Sequence, residues 1–171
     1  MKSHHHFGKS SLVSLILLPF MVALFVACSG KAELVKNKGF DKDTSGWRGV
    51  YSTISSVGGG QSGNCLEIKR TDYVSQWAYQ VGIPLTVGKK YRLSAYVKSG
   101  TSGNEPFGLS LESDKSGPKT LISINGTSSG AWVQHSGVFE ASLATCNVYL
   151  YKQSSTPGTM LFDTVTLEEV E

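Results

Sequence analysis

A short segment near the C-terminal end carries residue types that could bind a flat, polar ligand. Successive side chains of an extended strand point to opposite faces, so Val148 and Leu150 would share an inner face. The opposite face would carry Asn147, Tyr149, Tyr151 and Gln153. A tyrosine ring stacks on the apolar C–H face of a pyranose, and amides and hydroxyls pair with its hydroxyl groups. This combination favours carbohydrate binding.

Two other segments show the same alternation. In 91–98, every second residue is apolar and Tyr96 falls on the polar side, and in 107–112 the polar side carries Ser110 and Glu112. We therefore expect Tyr96 to lie on one concave sheet face with the tyrosines and Gln153 named above, and Glu112 is a further candidate. The alternative is that all of them are ordinary solvent-facing strand residues, whose cross-strand contacts stabilise the sheet.

The elements that must position these side chains are β-strands. The chain after residue 33 has no convincing periodicity of about 3.6 residues, but many short alternating segments separated by Gly, Ser, Asn and Pro. The predicted strands are Trp47–Ile54, Cys65–Arg70, Gln76–Val81, Tyr91–Ser99, Phe107–Ser113, Thr120–Asn125, Ala131–Ala141, Asn147–Gln153 and Met160–Glu168. This spacing predicts one all-β domain, a two-sheet antiparallel β-sandwich of the jelly-roll type.

The N-terminal residues have the features of an export signal. Lys2 and Lys9 precede an apolar run, Leu12 to Ala27, that is shorter than the ~20 residues needed to span a bilayer. Its end, Phe25-Val26-Ala27-Cys28, resembles a bacterial lipobox, in which the cysteine is acylated and becomes the new N-terminus. The alternative is an uncleaved N-terminal anchor.

The lipobox defines the predicted organisation of the chain. Residues 1–27 are the signal peptide, 28–33 the lipidated cysteine and tether, and 34–170 the β-sandwich. The protein would then be exported and lipid-anchored in the cell envelope. Ser29, rather than Asp, after the cysteine predicts the outer membrane if the cell is Gram-negative.

The remaining charge excludes some classes of partner. Cleavage before Cys28 leaves fourteen basic and thirteen acidic residues, a formal charge near +1, without basic clusters. No nucleic-acid partner is therefore expected. His4, His5 and His6 would be removed, which leaves no histidine-based metal cluster and makes a Ser-His-Asp triad possible only through His135.

Two cysteines remain besides the lipidation site. Cys65 and Cys146 form an even number in an oxidising compartment, which is compatible with a disulfide bridge. The equally open alternative is two separate buried thiols that behave as small hydrophobic residues.

Five segments, in order along about 130 residues, resemble carbohydrate-binding modules of families 4, 9 and 22. They are Leu34-Val35-Lys36-Asn37-Lys38-Gly39-Phe40-Asp41 with Ser45-Gly46-Trp47, then Gly63 to Tyr73, Leu85 to Lys98, Trp132 to Phe139, and Leu161 to Leu167. The resemblance implies a jelly roll whose concave sheet holds a single polysaccharide chain. It places Tyr73 beside a ring-stacking aromatic, Tyr96 on a cleft strand, and Gln153 at a position that hydrogen-bonds sugar hydroxyls.

The resemblance also implies a structural calcium ion. Asp41 and Asp163 match acidic positions of the opening and closing strands, although Thr164 replaces a second acid. Because calcium takes six to eight oxygen ligands, backbone carbonyls and water would complete the site. The alternative is two solvated acids. The tryptophans Trp47, Trp77 and Trp132 are interpreted as core residues.

Two other function classes compete with sugar binding. A glycosidase or lyase would need paired carboxylates. Glu67, Asp72, Glu112 and Asp114 are available, but no motif pairs them, so we expect no enzyme. A surface scaffold or protein-interaction lipoprotein could keep the fold without the sugar site. The expected protein is a monomer that binds a polysaccharide or oligosaccharide.

Overall fold

The computed structural model describes residues 33–70, 76–101, 103–113, 119–154 and 157–171. The predicted signal peptide, Cys28 and Tyr73 lie outside the described residues. The strands are β1 Arg48–Val50, β2 Ser52–Gly58, β3 Asn64–Arg70, β4 Gln76–Pro84, β5 Lys90–Ser99, β6 Glu105–Glu112, β7 Thr120–Ser128, β8 Val133–Glu140, β9 Thr145–Lys152 and β10 Thr159–Val170.

These strands form two five-stranded sheets. Sheet A has the order β1-β4-β9-β6-β7, and sheet B has the order β2-β3-β10-β5-β8. Neighbouring strands pair antiparallel in both sheets. The predicted fold class, a two-sheet antiparallel β-sandwich consistent with a jelly roll, is confirmed.

Each predicted strand corresponds to an observed one, except at the first. The segment Trp47–Ile54 was expected to be a single strand, and this prediction is wrong. Tyr51 has a φ of 51°, a left-handed conformation that interrupts an extended chain. The interruption lets β1 pair in sheet A and β2 in sheet B, so the chain crosses between the layers at Tyr51.

The core lies between the sheets. Alternate residues of the central strands face it, as with Val148 and Leu150 of β9 and Phe162 and Leu167 of β10, all fully buried. Trp47 is 6% exposed and belongs to the core, as predicted. Burying side chains of this size stabilises the fold by about 1.5 to 3 kcal/mol each.

The segment 34–47 contributes to the core without being a strand. Val35 and Phe40 are buried, and the segment bonds to both sheets. The Lys36 backbone exchanges two hydrogen bonds with the Gln80 side chain of sheet A, and Val165 N–H of sheet B donates to the Lys38 carbonyl. Register shifts occur in β4 after Gln80 and in β10 after Asp163, close to these contacts.

The two cysteines of the domain are free, buried thiols. Cys146 belongs to the core cluster, whereas Cys65 is buried outside it. Burial raises the pKa of Cys146 to about 12, and burial together with the nearby Asp163 and Glu67 charges raises the pKa of Cys65 to about 11. In the structure the two cysteines are thus separate buried thiols and are not joined by a disulfide bridge.

No helix long and apolar enough to cross a membrane occurs among the residues that the structure describes.

Candidate functional site

The candidate site is built on the outer surface of sheet A. Its central strand, β9, alternates as expected, with Tyr149 and Tyr151 half-buried on the side away from the core. The strand register places Tyr79 of β4 beside Tyr149 and Trp77 beside Tyr151. The outer side of sheet A therefore gathers aromatic rings from neighbouring strands.

These rings form a continuous cluster. The ring centroids of Tyr79 and Tyr149 are 5.7 Å apart, and those of Tyr149 and Tyr151 are 5.8 Å apart. Trp77 lies 5.8 Å from Tyr151, and Tyr51 meets Trp77 edge-on at 5.7 Å. Such separations are typical of favourable aromatic pairs. We call this surface of sheet A, with its five rings, the aromatic face.

The interpretation of Trp77 as a core residue is wrong. On β4 the buried side carries Gln76 and Gln80, 0% and 5% exposed, while Trp77 and Tyr79 point outward. Gln80 faces inward because its amide bonds to the Lys36 backbone, which inserts beside it. The usual assumption that the aromatic side of a strand is the inner side therefore fails here.

Small and polar residues of β6 and β7 adjoin the rings. Glu112 Oε1 accepts hydrogen bonds from Ser110 Oγ at 2.7 Å and from the Tyr151 hydroxyl at 3.2 Å. Burial, and then the Glu112 charge, raise the pKa of the Tyr151 phenol above its usual range, so Tyr151 stays a neutral donor. The structure thus brings together two of the candidate site residues, Glu112 and Tyr151.

Gln153 lies at another part of the same face. Its Nε2 donates to Asn125 Oδ1 of β7 at 2.9 Å, across the intervening strand β6. Gly108 of β6 makes room for this bond, since a Cβ there would lie 2.7 Å from Gln153 Nε2 and 3.0 Å from Asn125 Oδ1. Elsewhere on the face, Asn147 Nδ2 donates to the Tyr149 hydroxyl at 3.3 Å.

The placement of Tyr96 on the same face is wrong. Tyr96 is in β5 of sheet B, where it pairs with Asp163 of β10 and Gln134 of β8. Alternation separates inner from outer residues but does not say to which sheet a strand belongs, and the two outer surfaces of a sandwich point in opposite directions. Tyr96 therefore cannot contact a ligand together with Tyr151.

Trp132 is also outside the core, contrary to its interpretation. It is half-buried beside sheet B, where its indole N–H donates to the Gly59 carbonyl at 3.2 Å and Lys98 Nζ lies 5.8 Å from its ring centroid. The residues that sequence reasoning missed are Tyr51, Trp77, Tyr79 and Asn125. The alternation that puts Trp77 and Tyr79 on the same side of a strand could have identified these two residues. Nothing in the local sequence pattern places Tyr51 beside them.

The two acids of the expected calcium site lie close to the turn 59–63 between β2 and β3, Asp163 bonding to the turn and Asp41 to the first residue after it. Asp163 is fully buried, and its Oδ2 accepts from Ser62 N–H at 3.0 Å. Asp41 is exposed, and its Oδ1 accepts from Asn64 N–H at 3.3 Å. Within the described ranges no group of three His, Cys, Asp or Glu side chains could hold a metal. Backbone oxygens and water would have to supply the other ligands.

The acidic residues considered for catalysis do not form a pair among the residues that the structure describes. Glu67 is in β3 of sheet B, within reach of Ser55, while Glu112 is on sheet A. Asp72 and Asp114 lie outside the described residues. His135 is in contact with Phe107, 4.5 Å between ring centroids, and its pKa is lowered by burial. In the part of the chain that the structure describes, no hydrogen bond joins His135 to a serine or an acid.

A family model described as carbohydrate binding domain, covering families 4 and 9, matches residues 32–158. The chain belongs to this family, whose members are binding domains rather than catalytic ones.

Solved structures share the fold at low sequence identity. A family 4 carbohydrate-binding module is 16% identical, with a TM-score of 0.63 over 80% of this chain and 99% of that one. The family 22 xylan-binding domain of Xyn10C from Paenibacillus barcinonensis is 14% identical, with a TM-score of 0.67 over 82% and 96%. The N-terminal cellulose-binding domain of β-1,4-glucanase C from Cellulomonas fimi is 18% identical, with a TM-score of 0.60 over 77% and 94%. No curated protein matches the chain.

Proposed function

We propose that this domain binds a single chain of a neutral, β-linked polysaccharide on the aromatic face, without catalysis. The observation that carries the proposal is the cluster of five rings on the outer side of one sheet, next to amides and hydroxyls. Aromatic rings offer apolar surface at a small entropic cost, because a tyrosine has few rotatable bonds. Amides and hydroxyls would pair with the sugar hydroxyl groups.

The charges on this face support a neutral ligand. Among the described strand residues of the aromatic face, the charged side chains are Arg48 of β1 and Glu112 of β6. Glu112 already accepts two hydroxyl hydrogen bonds. The similar domains described as xylan-binding and cellulose-binding also have neutral β-linked ligands.

Isothermal titration of the soluble domain tests this proposal. The ligands are xylan, cellulose oligomers, mixed-linkage glucan, laminarin and host-type glycans. We expect a Kd of about 10 μM to 1 mM for one of the β-linked glycans, which corresponds to ~4 to 7 kcal/mol. A well-folded domain that binds none of them would contradict the proposal and favour a scaffold role. Release of reducing ends or unsaturated products would indicate an enzyme.

We also propose that the domain is anchored in the cell envelope by a lipid on Cys28. The support is the apolar run ending in Phe25-Val26-Ala27-Cys28. Detergent phase partitioning of the wild type and of Cys28→Ser tests it, because acyl chains bring a protein into the detergent phase. The wild type should partition into detergent and the variant should not. A wild type that stays in the aqueous phase without an acyl group would contradict the anchor.

A calcium ion near the turn 59–63 is a further part of the proposal. Asp41 and Asp163 would hold it, and its support is that both carboxylates approach one turn in which no Lys or Arg lies. Gly60 and Gly63 permit this approach, since a Cβ at Gly60 would lie 2.9 Å from Asp163 Oδ2 and one at Gly63 would lie 2.2 Å from Asp41 Oδ1. The ion would add a positive charge beside two carboxylates that accept hydrogen bonds from backbone N–H groups.

A further inference from the structure

An ion pair is buried beneath one part of the aromatic face. Lys152 Nζ lies 3.1 Å from Glu105 Oε2, and the two side chains are 0% and 2% exposed. Removing two charges from water costs several kcal/mol per ion, and apolar residues of similar volume in place of such a pair are often neutral or stabilising. Stability alone therefore does not account for a buried pair at this position.

The pair lies where two strands of sheet A meet at their ends. Lys152 is the last residue of β9 and Glu105 the first of β6. The next residues of the two strands are also joined, since Gln153 N–H donates to the Pro106 carbonyl at 3.0 Å. Lys152 Nζ in addition donates to the Ser154 carbonyl at 3.4 Å. Lys152 thus fixes the backbone on both sides of Gln153.

The contact of Gln153 depends on where its backbone lies, because the side chain has to pass over strand β6 to reach Asn125 of β7. Its side chain crosses above Gly108 to reach Asn125, and this path needs a glycine because a Cβ at residue 108 would lie 2.7 Å from Gln153 Nε2. We propose that the Lys152–Glu105 pair is a positioning device. It holds Gln153 on the aromatic face so that Gln153 can hydrogen-bond the hydroxyls of a bound glycan. The binding part of this proposal rests on the proposed function.

A thermodynamic cycle in the soluble domain tests the link between the pair and Gln153. The variants are Gln153→Ala, the double variant Glu105→Leu/Lys152→Met, and the triple variant that combines them. We expect the first two each to weaken glycan binding about threefold to tenfold, the range of one hydrogen bond. The triple variant should bind no more weakly than either, because both changes remove the same contact. Additive losses, or unchanged affinity in the double variant, would overturn the proposal.

Melting curves and a matched control separate positioning from general damage. The double variant should melt at or above the wild-type temperature. The control replaces the exposed pair Lys89 and Glu169, 3.4 Å apart, by the same residue types, and affinity should not change. If the double variant does not fold, Glu105→Asp retracts the carboxylate from Lys152 while keeping its charge. Its affinity loss should likewise not add to that of Gln153→Ala.

A ligand-free measurement distinguishes failure of this proposal from failure of sugar binding. In the NMR spectrum, the Gln153 side-chain amide is assigned by its loss in Gln153→Ala. Its signal should be shifted in the wild type by the hydrogen bond to Asn125, and in the double variant it should move to the position of a glutamine that lacks this bond. An unchanged amide signal in a folded double variant would overturn the positioning role, whether or not a glycan binds. Absence of glycan binding by the wild type would instead refute the proposed function.

Discussion

The two outer surfaces of the sandwich have similar strand patterns but different surroundings. On sheet A, Tyr149 and Tyr151 stand among other rings, and no described loop bonds across them. On sheet B, the turn 59–63 folds back over the sheet, where Ser62 bonds to Asp163 and Gly59 bonds to Trp132. Asp163 is on the outer side of β10 and yet is fully buried.

This difference separates two roles of aromatic and polar strand residues. Where a turn covers them, as with Asp163 and Trp132, their polar groups are used within the protein. On sheet A no described loop covers the rings of Tyr149 and Tyr151, so their faces are available to a ligand, although the Tyr151 hydroxyl and the Gln153 amide have partners within the protein. The two surfaces thus differ in whether a described loop covers their rings, and residue type alone does not show this.

The largest expected effect is the removal of a ring from the aromatic face. Tyr151→Ala should weaken glycan binding by about 1 to 3 kcal/mol, because Tyr151 is central in the ring cluster and also bonds to Glu112. Isothermal titration measures the loss, with melting curves as a control for folding. Tyr96→Ala is the matched variant on sheet B and should bind as the wild type does. Equal losses in the two variants would contradict the assignment of the site to sheet A.

Removal of calcium tests the proposed metal site beside the turn 59–63 of sheet B. A ligand that binds only the folded state at ten times its Kd stabilises that state by about 1.4 kcal/mol. Chelation should therefore lower the melting temperature of the wild type by a few degrees. Asp163→Asn, which removes one proposed ligand charge, should melt at the same temperature with and without chelator. Identical wild-type curves in the two conditions would exclude the metal from the stability of the domain.

A smaller effect is expected from one added methyl group. Gly108→Ala would place a Cβ against the Gln153 and Asn125 side chains and separate them. We expect affinity to fall by about 1 kcal/mol, the value of one hydrogen bond. Gly58→Ala, at the end of β2, meets nothing within 4 Å and is the control. Crystal structures or amide NMR signals of the two variants would show whether the Gln153 contact alone is lost.

The smallest effect concerns pH. Burial lowers the pKa of His135 below its usual value of 6.5, so folding favours the neutral ring. The stability that His135 contributes is therefore present above pH 6.5 and declines as the pH falls toward the folded-state pKa. The melting temperatures of wild type and His135→Gln should differ less at pH 5 than at pH 7.5. The carboxyl groups are the same in both proteins, so the effect of their titration on the melting temperature cancels in this comparison. A melting-temperature difference that grows on acidification would contradict a lowered pKa of His135.

The strands and the site were not equally predictable from the sequence. Alternation located the later strands, because in a sandwich one side of a strand packs in the core, but it did not reveal the break at Tyr51 that separates β1 from β2. It also placed Tyr149, Tyr151 and Gln153 on one outer side correctly. It failed for Tyr96, because strand order in the sheets depends on contacts that are distant in sequence. It failed for Trp77 because the backbone at Lys36 bonds to Gln80. The side of β4 that carries Gln80 is therefore buried, and the side that carries Trp77 faces outward.

The inserted segment 34–47 also has a consequence for how the chain reaches its folded state. The Lys38 carbonyl accepts a hydrogen bond from Val165 N–H, so the first described part of the domain is tied to its last strand. β10 is also the middle strand of sheet B. Sheet B and the contact between Lys38 and Val165 both need β10, so neither can form before residues 159–170 are available. Folding must therefore wait for the whole chain and proceed through contacts distant in sequence, which makes it slow.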